Sequence, residues 1–152
     1  TRFHPSGALN DTVASDGWNL VTQQTAEWNS EKAQQIVQSV IDSGKSFNVI
    51  YAENDDMAKG AVAALDKANI PHGVGKDVIV MGFDCNKWAL EELLNQNWNY
   101  DGQCNPFQAS YIDDIIKKIE NGETISEKTI IMDEKGFDAT TITQEDVDNY
   151  GI

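Results

Sequence analysis

Positive charge is scarce in this sequence: 11 Lys and Arg stand against 25 Asp and Glu, a formal net charge of −14 over 152 residues. A surface of that sign repels phosphate backbones and anionic headgroups, which excludes nucleic acid and membrane surfaces as partners. Long apolar runs are missing as well, and nothing approaches the ~20 residues a spanning helix needs. Cysteine is limited to Cys85 and Cys104, too few for a disulfide framework and without the companions of a zinc site. A single bridge between them and two quiet thiols both stay open. Gly-rich turns with positive charge do not follow any strand-like segment, so a phosphate or dinucleotide cradle is not expected. No Ser or Cys stands beside a His at a nucleophile turn, and His4 and His72 both lie in loop-like sequence. Catalysis is therefore not expected. The chain opens at Thr1 with no basic segment leading into an apolar one, so a secretion signal is expected to be absent or already removed.

What is present suits one compact domain. Hydrophobic residues make up 40% and aromatics 9%, enough for a core and too many for an acidic disordered tail. Helix-period and strand-period segments alternate. Residues 5–16 read as a helix with Pro5 in its first turn and Gly17 beyond its end. Residues 18–23 alternate as a short strand. Ser30 caps a helix in which Ala33, Ile36, Val37, Val40 and Ile41 recur at helical spacing up to Gly44. Residues 47–52 form an apolar strand of the buried parallel kind. Asn54 or Asp55 opens the next helix, and residues 77–83 are the strongest strand. A helix over 87–96, a weak strand over 99–104 and a helix after Pro106 follow, the last carrying Ile112, Ile115, Ile116 and Ile119. Residues 129–132 and 139–142 read as short strands, and Thr143 caps a last acidic turn.

This alternation predicts a three-layer α/β domain with a doubly wound parallel sheet. The series begins with a helix, whereas a doubly wound half begins with a strand. The opening strand is expected to be missing, unless residues 1–17 are simply an extra leading helix.

Open parallel sheets bind ligands beyond the carboxyl ends of their strands. Here those ends carry Thr25 to Trp28, Glu53 to Asp56, Asp84 to Asn86, and Cys104 with Asn105. An indole, amides and carboxylates with little cationic charge suit a carbohydrate: amides and carboxylates pair with hydroxyls, and a flat ring covers the C–H face. Each residue also has a plainer reading. Asp84 and Asn54 can cap the helices that follow, and Trp28 can be an ordinary surface aromatic. Glu53, Asp55 and Asp56 read as a solvated face and helix-dipole charges rather than metal ligands. No metal and no cofactor are expected.

The stretch AENDDMAKGAVAALDKA, then KDVIVMGFDCNKWALEELLNQ, then a short strand ending in CNP, resembles the type I periplasmic sugar-binding proteins of ABC importers. The ribose- and galactofuranose-binding branch is the most similar, and the resemblance runs from Gly17 to the C-terminus. It implies two hinged lobes that close on a monosaccharide and hand it to a membrane permease. It also implies an extracytoplasmic setting, either the periplasm or a lipoprotein on a Gram-positive cell surface. Residues 1–104 would be a C-terminal lobe that lacks its first strand, and residues 105–152 a crossover plus a closing piece of the N-terminal lobe.

By the same resemblance Asn54 matches a hydroxyl-bonding amide, Asp84 a carboxylate acceptor and Trp28 a stacking aromatic. Cys104 falls where ribose binders place a hydrogen-bonding Gln, with Asn105 or Gln103 as alternatives. Arg2 is the nearest candidate for the family's sugar-bonding Arg, with His4 as its competitor. Such a fragment is expected to cover its open edge and apolar helix with a second copy or an exchanged segment. Two other readings share the fold: the effector domain of a lactose-repressor-like regulator and an extracellular sugar-sensor module. The Asp55-Asp56 pair is similar to that of a phosphoacceptor receiver domain, whose order of acidic residues does not match.

Overall fold

A computed structural model describes residues 17–126 and 128–152. The helix expected over 5–16, and with it Arg2 and His4, lies outside the described residues.

Four strands form one sheet in the order β1 (Val49–Tyr51), β2 (Ile79–Asp84), β3 (Tyr100–Gln103) and β4 (Gly136–Asp138). The first three are parallel and β4 runs antiparallel to β3. Parallel neighbours need a crossover, supplied by α2 (Asp55–Lys67) between β1 and β2 and by α3 (Lys87–Leu94) between β2 and β3. The helix α1 (Ser30–Asp42) packs along α2. Its cap is Asn29, whose Oδ1 accepts the Lys32 N–H at 2.8 Å. The remaining helices are α4 (Ala109–Glu120) and α5 (Gln144–Tyr150), the latter opened by a reciprocal Thr143–Asp146 capping box.

The core lies between this helical layer and one face of the sheet. Leu65 of α2, Leu90 and Leu93 of α3, Val80 of β2 and Val147 of α5 are fully buried, with Trp98 beside them. Trp98 stands edge-on to Trp88 at 5.9 Å. Each such aliphatic side chain contributes about 1.5–3 kcal/mol of transfer free energy. Gly60 lets α1 approach α2 closely, since a Cβ there would lie 2.0 Å from the Ser30 carbonyl oxygen. On the other face Tyr51 and Phe83 stack at 5.2 Å with Tyr100 beyond them, and Tyr51 and Ile79 stay well exposed.

Three expected strands come out differently. Residues 18–23 form no ladder; alternation alone does not make a strand without a neighbouring strand to pair with. Residues 129–132 form none either, and Ile131 is 87% exposed, so the segment has no apolar surface to bury its alternation against. The strand expected over 139–142 lies three residues earlier, as β4. Gly136 is required there because the Tyr100 hydroxyl occupies the place of a Cβ. Asp138 then turns the chain: its carboxylate accepts the Thr140 N–H at 2.8 Å and Oγ1–H at 2.6 Å.

The division at 104/105 also needs correction. β4 completes the same sheet as β1–β3, and α5 packs against α3. Ile152 donates its N–H to the Cys85 carbonyl and accepts from the Lys87 N–H, each at 3.0 Å. Residues 136–152 therefore belong with 49–103, and the segment between them leaves that unit and returns.

Candidate functional site

Parallel pairing sets Tyr51 beside Met81 and Asp84 beside Gln103, so the carboxyl ends of β1, β2 and β3 open on one edge. Asn54 follows β1, Asp84 ends β2, and Cys104 and Asn105 follow β3. The turn after β2 is tied to the start of α2: the Asn86 N–H and Nδ2 donate to Asp55 Oδ2 at 2.8 and 3.1 Å. Trp28 sits two residues before α1, whose first carbonyl rests over Gly60 in the second turn of α2. Asn54 and Asp84 thus lie at the same end of the domain, and Trp28 stands in the turn that leads into α1.

Each has a distinct local setting. Asn54 is buried and caps α2, its Oδ1 accepting the Met57 N–H at 2.9 Å. The cap uses only Oδ1, and the Nδ2 donor is no part of it. Asp84 is not a cap. Asn86 holds that position for α3, without a side-chain bond. Asp84 and Cys85 instead have φ of 122° and 63°, left-handed backbone that costs a non-glycine residue about 1–3 kcal/mol. Burial and the charge of Asp56 hold the Asp84 carboxyl above the usual carboxylate range. Trp28 is 66% exposed and, like Glu27 before it, has positive φ. The turn lifts the indole off the body of the protein, beside an ion pair of Glu27 with Lys32.

Cys104 is exposed and Cys85 buried, and the two are not bridged. Burial pushes the Cys85 thiol up, which makes it inert. Asn105 is engaged locally: its N–H donates to Glu134 Oε1 at 2.7 Å and its Oδ1 accepts the Phe107 N–H at 2.8 Å. Gln103 Oε1 accepts the Lys135 N–H at 3.3 Å.

One expectation is overturned. Asp55 is not part of a solvated acidic face: it is 0% exposed, as is Asp101 on β3. The two carboxyl groups meet beneath the rim, and burial raises both above the usual range. Asp101 attracted no notice in the sequence. Its signal was the period of two along β3, which puts it on the inward side with Gly82 of β2.

Comparison with known proteins places the fold in a family. The periplasmic binding protein domain, as a family model, matches residues 7–121. The chain belongs to that family. It is a family of binding proteins, not of enzymes. The fructose import binding protein FruE of Bifidobacterium longum is 31% identical over 132 residues, covering 86% of this chain and 38% of the relative. The ribose import binding protein RbsB of Bacillus subtilis is 32% identical over 96 residues, covering 63% of this chain and 29% of the relative. Among solved structures, an ABC transporter periplasmic solute binding protein from Actinobacillus succinogenes with bound D-allose superposes with a TM-score of 0.71 at 26% identity. That match covers 87% of this chain and 44% of the other. The chain thus spans about a third of the length of the curated relatives it matches. Among the described residues no helix is long and apolar enough to cross a membrane.

Proposed function

We propose that this chain is most of one lobe of an extracytoplasmic solute-binding protein that grips a monosaccharide between two hinged lobes for delivery to the permease of an ABC importer. The observation that carries the reading is Asp84: a half-buried carboxylate at the end of a central parallel strand, held in left-handed backbone and not used as a helix cap. Strain of that kind persists where the surroundings over-determine it, and ligand sites are where it gathers. In this reading Asp84 accepts from paired sugar hydroxyls, the Asn54 Nδ2 donates to a ring or hydroxyl oxygen, and Trp28 covers the C–H face. Cys104 and Asn105 line the crossover side, and Arg2 would reach the ligand from the preceding segment. Contacts from both lobes exist together only in the closed state, so the sugar shifts the population toward closure. Periplasm and lipoprotein anchoring on a Gram-positive surface are equally suitable settings.

A thermal-shift screen of monosaccharides on the full-length protein tests this. At least one furanose, pentose or hexose should raise Tm by several degrees, and Asp84→Ala should remove the shift. A protein indifferent to every monosaccharide would overturn the reading.

We further propose that the 152-residue chain alone pairs with a second copy or exchanges a segment. The support is the apolar face of α4, with Ile112 52%, Ile116 48% and Ile119 59% exposed. Light scattering should give a mass above that of one chain, and a stable monomer would contradict the pairing.

A further inference from the structure

Beneath the rim sits a buried acid pair that the ligand contacts leave unused. Asp101 lies opposite Gly82 in the β2–β3 ladder, and a Cβ on Gly82 would lie 2.6 Å from Asp55 Oδ1. The two carboxyl groups therefore meet over a glycine that makes room for them. The contacts to two of the four oxygens come from the β2 end: Asp55 Oδ2 takes both Asn86 donors, and Asp101 Oδ1 takes the Cys85 thiol at 3.8 Å. The remaining oxygens, Asp55 Oδ1 and Asp101 Oδ2, are fully buried, and no N–H or O–H donor reaches either. Neither carboxyl forms an ion pair with Lys or Arg among the described residues. Lys59 of α2 and Lys87 of α3 are engaged elsewhere, over Trp88 and toward Asp148.

Two ionised carboxylates with bare oxygens side by side would be among the costliest arrangements a core can hold. One proton between them removes a charge and satisfies both oxygens at once. We propose that Asp101 keeps its proton at neutral pH and donates Oδ2–H to Asp55 Oδ1, and that this link is a positioning device joining β3 to the start of α2 and, through Asn86 and Cys85, to the turn that carries Asp84. Asp84 and Cys85 at the β2 end offer the pair no positive charge. The Asn86 donors favour the ionised form of Asp55 and the Cys85 donors that of Asp101, and at Asp101 burial and the neighbouring Asp55 carboxyl outweigh them. The link aligns Asn54 with Asp84, and its value for a sugar rests on the reading above; the link itself does not.

The sign of the pH effect follows. Unfolded Asp101 is ionised above about pH 4, whereas the folded residue holds its proton, so unfolding releases a proton and stability falls as pH rises. In the 152-residue chain Tm should decline between about pH 5 and about pH 8. Asp101→Asn replaces the O–H donor with an N–H donor that has no proton to lose, and its profile over that range should be flatter. Infrared spectra at pH 7 should show the carbonyl stretch of a protonated carboxylic acid in wild type and not in Asp101→Asn. Asp101→Ala, which leaves Asp55 Oδ1 without a donor, should melt below Asp101→Asn throughout. Parallel Tm profiles, or no acid band in folded wild type, would overturn the link; the band needs no variant to fold. An acid band in a full-length protein that binds no sugar would support the link and sink the sugar reading alone.

Discussion

Two helices of this chain have one-sided apolar faces, and they meet opposite fates. α3 buries Ala89, Leu90 and Leu93 completely and packs against β3, β4 and α5, whereas α4 buries no residue at all. Periodicity cannot tell them apart, since Ile112, Ile115, Ile116 and Ile119 repeat as regularly as Leu90, Leu93 and Leu94. An amphipathic pattern states that a helix has a partner; only the fold states whether this chain supplies it. The lobe built on β1–β4 closes over α3, whereas among the described residues nothing buries the apolar face of α4.

The contrast can be pressed by substitution. Leu93→Ala should cost about 2–5 kcal/mol of unfolding free energy in denaturant titrations, because its neighbours in the core are themselves fully buried. A loss under about 1 kcal/mol would mean that the α3 core is looser than described. Gly60→Ala should cost about 1–3 kcal/mol, since the Ser30 carbonyl already fills the space and it is backbone that must move. An unchanged midpoint would show that α1 does not press on α2. Ile116→Ala, on the open face of α4, should stay within about 0.5 kcal/mol in the chain diluted until the proposed pair has separated. A large loss in that dilute chain would reveal a partner for α4 within the chain itself, and the difference between the two helices would vanish.

Much of the fold was legible in the sequence. The helices α1, α2 and α3 announced themselves through spacing and β2 through its run of Val, Ile, Met and Phe; of the expected caps Asn54 holds, whereas Asn29 and not Ser30 caps α1. The last strand was not legible, because Gly136-Phe137-Asp138 has weak strand character and is selected by Tyr100, a neighbour 36 positions away in the chain. The Thr-Thr-Ile that looked like a strand is turned by Asp138 instead.

The strand-end rule put Asn54 just after β1 and Asp84 at the end of β2 without knowledge of what surrounds them. It missed Asp101, and it read Asp55 as solvated, for one reason. A carboxylate is counted as a surface residue until something shows that it shares its charge with another, and that sharing crosses from β3 to α2 through a glycine. Cys104 and Asn105 were found by position alone, and Asn105 is held by Glu134 and Phe107 across the returning segment.

The two backbone bonds from Ile152 to Cys85 and Lys87 have a practical side. They splice the last residue into the loop that aims Asp84, so the first helical N–H of α3 depends on an acceptor 65 positions downstream. Trimming Gly151 and Ile152 would therefore remove an acceptor that the start of α3 uses and a donor that holds the Cys85 carbonyl, and so loosen the loop that carries Asp84.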